Sequence, residues 1–215
     1  MDRRNELIAD LSRNLAPVRK APNVNRLASA WFLLGAVFVV SVTHLAGPVR
    51  PGAMSQLITE PRFLLETLLG VVAILWTSLL AFRGAVPAAL THRFATAGAI
   101  LMALWLAQYL FGLIEPALEP SELGKRNHCS LEVVVYSAPL ILVALFFIRR
   151  LYPLGFVRTA MSAGLAAGMM PALYMQLACM YEPVHILSYH VFPGLLMALA
   201  AAAIALVWRP ENHHA

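Results

Sequence analysis

Six long apolar stretches, separated by short polar turns, organise this chain of 215 residues. They run from Leu27 to Ala46, Phe63 to Phe82, Phe94 to Ile114, Val133 to Ile148, Thr159 to Ala178 and Ile186 to Trp208. Most approach the roughly 20 residues that a helix needs to cross about 30 Å of hydrocarbon. Lipid offers no partner to an unpaired backbone group, so each stretch is predicted to be a helix. The pattern predicts an all-α membrane protein with six transmembrane helices. The fourth stretch is short as it stands and is expected to begin nearer Ser130. Three regions follow: an N-terminal segment over 1–26, the six-helix unit over 27–209 and a short tail over 210–215.

The N-terminal segment has a different pattern. Leu7, Ile8, Leu11 and Leu15 fall on one helical face, and Asp10, Arg13 and Asn14 turn away. Pro17 and Pro22 would stop that helix. A helix this short is marginal alone in water. Its apolar face is expected either on the inner leaflet or in the groove of a partner. The segment lacks a short apolar core with a small-residue cleavage site, so the first span is expected to stay as an anchor.

Composition agrees with a membrane protein. Hydrophobic residues make up 60% of the chain and charged residues 13%, against about 25% charged in a soluble domain. The net charge of +5 points to a bilayer more than to nucleic acid. With the N-terminus inside, inner segments hold twelve of the Lys and Arg residues and outer segments hold Arg50, Arg62, Lys125 and Arg126. Lys and Arg concentrate in cytoplasmic loops. Both termini are therefore expected in the cytoplasm of a bacterial cell, with the bundle in its inner membrane.

Candidate chemistry gathers on the outer face. Cys129 precedes the fourth stretch and Cys179 follows the fifth. Two helices joined by the basic turn Arg149 to Arg158 form a hairpin whose open end can bring the two thiols together. Met180, His128, His185 and His190 lie near them in sequence, and His44 ends the first stretch. Thiolate, imidazole and thioether together favour copper, zinc or cadmium over magnesium or calcium. The spacing matches no compact zinc motif. Three uses of the cysteines stay open: a structural pair, a metal or redox sensor, and a catalytic disulfide. Glu66 and Glu132 are acids near the outer interface, where helix-end solvation is the simple account and an intramembrane role the sharper one. Pro139, Pro171 and Pro193 mark the last three helices, and Gly164 and Gly168 form a small-residue step for close helix packing.

The segments "ELIADLSRNLAPVRK", "NHCSLEVVVYSAPLILVALFFIRRLYP" and "GLAAGMMPALYMQLACMYEPVHILSYHVFPG" resemble the NrsF-like anti-sigma factors. These are six-helix inner-membrane proteins that restrain an extracytoplasmic-function sigma factor. The resemblance implies that Cys129 and Cys179 sense metal ions at the periplasmic face. It also implies that the N-terminal segment and inner loops hold the sigma factor, and the apolar face read above, Leu7, Ile8, Leu11 and Leu15, is then the expected binding face. The expectation is a regulator and not an enzyme, with no obligatory cofactor and a soft metal or an oxidant as signal. Two other classes compete. A membrane thiol–quinone oxidoreductase would commonly carry C-x-x-C, which is missing from the sequence. A b-type cytochrome would need paired histidines within the spans.

Overall fold

In the computed structural model, residues 2–13, 22–151 and 153–208 are described below. The order is α1 (Asp2–Arg13), α2 (Val24–Ala46), α3 (Ala53–Thr59), α4 (Pro61–Gly84), α5 (His92–Phe111), α6 (Cys129–Arg149), α7 (Phe156–Ala178), α8 (Pro183–His185), a π-helical turn (Ile186–Val191) and α9 (Phe192–Val207). Among the described residues, helix dominates, and strand-like pairing is limited to one bridge between Ser121 and Tyr181.

Helix starts are written locally. The Asn23 side chain accepts from Arg26 N at 3.2 Å to cap α2, and the Thr91 hydroxyl accepts from Phe94 N at 3.3 Å to cap α5. Pro61 opens α4 at a position where its missing N–H is harmless. Pro139 and Pro171 lie inside α6 and α7. The fourth expected span starts earlier than its apolar run, since Cys129 is the first residue of α6.

Among the described residues, five helices are long and apolar enough to cross a membrane, which is the pattern of a multi-pass membrane protein: α2, α4, α5, α6 and the segment Pro183–Val207. The expected count of six is corrected here. The fifth expected span is α7, 23 residues long but too weakly apolar to qualify. The physical reason is its position. Seventeen of its residues are buried, whereas α5 buries four. A helix enclosed by protein need not present apolar side chains to lipid, and can carry Gly164, Gly168, Pro171 and Gln176 instead.

The α7 glycines are where α9 comes closest. A Cβ at Gly168 would strike the Gly194 carbonyl, and one at Gly164 would strike that of Met197. The small-residue step thus lets two backbones touch.

End contacts show that α2, α4, α5, α6, α7 and α9 alternate in direction. At one end Arg83 Nε donates to Asn25 Oδ1 at 2.9 Å, and the Thr159 hydroxyl lies 3.4 Å from the Gly84 carbonyl. At the other, Arg50 N donates to the Ala178 carbonyl at 3.0 Å, and Arg126 reaches the Pro48 carbonyl at 2.8 Å. Both cysteines lie at this second end.

Candidate metal and thiol centre

Cys129 opens α6 and Cys179 caps the C-terminus of α7, so the antiparallel pair carries both thiols to one level. Their Sγ atoms are 3.1 Å apart and both thiols are free and buried. A disulfide bond would need about 2.05 Å. Cys129 Sγ also lies 3.3 Å from the Arg126 carbonyl, and Cys179 Sγ 3.6 Å from His185 Nε2. The hydrogen bond between the two thiols holds the Cys179 thiol well below its ordinary range, and the nearby His190 acts in the same direction. One member of the pair is thus poised as a thiolate, the form that binds metal.

The histidines arrive by way of the π-helical turn. Glu182 caps α8 with its carboxylate, accepting from the backbone N–H groups of Val184 and His185. In an α-helix, residues five apart diverge by about 140°. The i→i+5 bonding of a π-helix brings them onto one face. The turn at Ile186–Val191 does this for His185 and His190, whose ring centroids are 5.0 Å apart. Tyr189 stacks on His185 at 4.8 Å from outside. Pro193, just beyond the turn, has no N–H for the Tyr189 carbonyl, which is where such a ladder widens.

One donor atom from each of Cys129, Cys179, His185 and His190 lies within 4.8 Å of the others. A tetrahedral ion with metal–sulfur bonds near 2.3 Å would set the sulfurs about 3.8 Å apart, so small side-chain shifts suffice. His190 is fully buried, and neither of its ring nitrogens has a hydrogen-bond partner. A buried imidazole normally finds one. Two orphaned nitrogens beside two thiols fit a bound soft or borderline cation, so the residues suit the metal expected of them.

The other expected ligands are placed differently. His128 is exposed at the N-cap of α6, outside the four-donor group. Met180 is buried against the cysteines, with Met175 and Val133. His44 stands apart, its Nδ1 near the Val40 carbonyl at 2.9 Å and the Tyr174 hydroxyl at 3.3 Å. Glu66 and Glu132 are each paired with an arginine: Arg62 Nε donates to Glu66 at 3.0 Å, and Arg126 grips both Glu132 oxygens at 3.0 Å. On α1, Leu7, Ile8 and Leu11 are 59%, 54% and 61% exposed. Leu15 lies outside the described residues.

Two arginines escaped sequence reasoning, which counts them only as outer charges. Arg126 is buried and ties the α5–α6 loop to Glu132, to Pro48 and, at 3.4 Å, to the Thr43 carbonyl. Arg50 is buried between the rings of Phe63 and Tyr181, 5.9 Å and 5.7 Å from their centroids. Gly124, with φ of 80°, lies against the Arg50 backbone where a Cβ would clash. The glycine between Leu123 and Lys125 was the one local hint of a tight turn there. Ser121 N donates to the Tyr181 carbonyl at 2.8 Å, and Ala117 N to the Tyr181 hydroxyl at 3.0 Å. Three loops are thus stitched into a cover over the thiols.

Comparison with curated proteins and with solved structures gives no match. A family model described as negative regulator of sigma F matches residues 11–208. That match takes in every crossing helix and all four donor residues, and the chain belongs to the NrsF family of negative regulators of sigma F.

Proposed function

We propose that this protein is a membrane-embedded anti-sigma factor that holds an extracytoplasmic-function sigma factor and releases it when a soft metal or an oxidant reaches Cys129 and Cys179. Family membership supports a regulator with a sigma factor as partner, and not an enzyme. The observation that carries the sensing step is the buried group Cys129, Cys179, His185 and His190. Copper, cadmium and zinc match its donors.

In this reading the five apolar helices lie in a bacterial inner membrane, with α7 enclosed among them and shielded from lipid. The positive-inside rule places the end bearing Arg26, Arg83, Arg93, Arg149, Arg150 and Arg158 in the cytoplasm, with both termini. The thiols then face a compartment where oxidation is possible. The 3.1 Å thiol separation favours disulfide formation as a second route to the same signal. Residues 1–26 serve as the sigma-binding segment, and Leu7, Ile8, Leu11 and Leu15 dock in the sigma factor.

Release requires the ligand to prefer one state. A shift from 1:99 to 99:1 takes roughly 5.5 kcal/mol of differential affinity. Thiolate coordination of a soft metal is of that order or larger. Binding would push the two sulfurs slightly apart, from 3.1 Å, and draw the π-helical turn in toward them. Because α7 and α9 touch backbone to backbone, movement at the thiols is carried along both helices to the basic end.

The test is the distribution of the sigma factor between membrane and cytosol. Leu7→Asp with Leu11→Asp should move it to the cytosol and switch its genes on without metal, since a charge in an apolar groove is strongly disfavoured. Cys129→Ser and Cys179→Ser should keep it on the membrane when cadmium is added. A sigma factor that stays bound to the leucine variant, with silent genes, sinks the docking assignment.

A further inference from the structure

A cavity of about 790 Å³ opens between α4, α5 and α7 at the end remote from the thiols. Nothing in the sensor reading uses it. Its lining changes character along its length. Leu80, Gly98, Met102, Leu106 and Leu165 form an apolar trough, while Thr91, His92, Arg158, Thr159 and Ser162 gather at the other end. That gradient is the shape of an amphiphile.

Charge identifies which amphiphile. In 22–30, 78–98 and 145–165, the stretches that build this end, there is no Asp or Glu. Several arginines here are engaged with aromatic rings: Arg83 lies 4.2 Å from the Phe94 centroid, Arg149 5.1 Å from Trp208 and Arg150 3.9 Å from Phe146. Arg158, on the cavity wall and exposed, makes no ion pair among the described residues. His92 stands across from it on α5 with its ring nitrogen 3.3 Å from the Thr96 hydroxyl. A cation and an imidazole at the edge of a void, with the Thr91 hydroxyl beside them, suit a phosphate diester, while the Thr159 and Ser162 hydroxyls are held by backbone carbonyls. The trough beside them suits an acyl chain.

We infer that this cavity holds one anionic phospholipid, its phosphate against Arg158 and His92 and one chain along the trough between α5 and α7. The inference rests on the bundle crossing the membrane with its basic end in the cytoplasmic leaflet. The lipid completes the packing of α5, which is the least buried of the long helices.

The test uses the full-length protein in nanodiscs of equal phosphatidylglycerol and phosphatidylcholine, released and weighed by native mass spectrometry. The wild type should retain phosphatidylglycerol over phosphatidylcholine by about fivefold, the effect of one basic group at an anionic surface. Arg158→Gln with His92→Gln should erase that preference, and Arg158→Lys should keep most of it. Ala103→Phe, which fills the trough without touching a charge, should lower retention of both lipids. Thermal midpoints in lipid-free detergent establish that each variant is folded. Equal retention of the two lipids by the wild type, or a preference that survives both the Gln pair and Ala103→Phe, overturns the inference. Cadmium titration of the same samples reads the thiol end independently, so failure of the lipid site and failure of the sensor reading are told apart.

Discussion

At the thiol end of the bundle, loops 47–52, 115–128 and 179–182 are joined by hydrogen bonds, a gripped carboxylate and a buried cation. At the opposite end, arginines lie over half-buried or exposed rings, a cavity stands open and the apolar face of α1 is uncovered. Seven of the nine glutamates, Glu60, Glu66, Glu115, Glu119, Glu122, Glu132 and Glu182, belong to the thiol end, and the other two, Glu6 and Glu211, to the terminal segments. A closed, dry site suits a small ligand, because burial strengthens every contact made within it. An open, basic end with an amphipathic helix suits a large partner, because that surface costs little to expose. In the proposed reading, the contrast is where sensing and output separate.

The largest expected effect attacks the closed end. Arg126→Met strips Glu132 of its partner and leaves the Pro48 carbonyl without a donor. Breaking a buried pair from one side costs about 3–5 kcal/mol. The thermal midpoint of the purified protein should fall sharply, whereas Arg83→Met at the open end should shift it little. Equal losses would break the comparison.

A smaller effect separates ligand from scaffold. His190→Ala should weaken cadmium binding by at least about 10–100-fold, the loss seen when even an outer partner of a metal ligand is removed. His128→Ala should leave affinity unchanged. A competition titration on detergent-purified protein checks both, and equal affinities for His190→Ala and wild type would remove His190 from the site.

The finest effect concerns protons. Coordinated thiols must be deprotonated. The hydrogen bond between the thiols holds Cys179 below its ordinary range, so the pair shares one proton near neutral pH. Binding should therefore release about one proton from the pair, and not two. Affinity then falls about tenfold for each unit of pH lowered. Calorimetry in buffers of different ionisation enthalpy measures the number directly. Release of two protons would show that both thiols start protonated.

Much of the fold was legible because hydrocarbon imposes a length and a composition on any helix it touches. The helices that meet lipid announced themselves. α7 was placed correctly as a helix, yet its enclosure was hidden, since small residues such as Gly164 and Gly168 read alike in lipid and in a core. The cysteine pair was legible for a topological reason: a hairpin of two similar helices returns its ends to one level. The histidines were harder. His128, His185 and His190 look alike beside the cysteines, and α-helical spacing keeps His185 and His190 apart.

Residue types and their order set the helices, the charge asymmetry and the two thiols, because these depend on local hydropathy and on counting. The π-helical turn that aligns His185 with His190, the burial of Arg50 and Arg126, and the trough beside α5 come from packing between distant segments. Each is the resolution of a competition among neighbours for the same space or the same partner, and no single stretch of chain contains all the competitors.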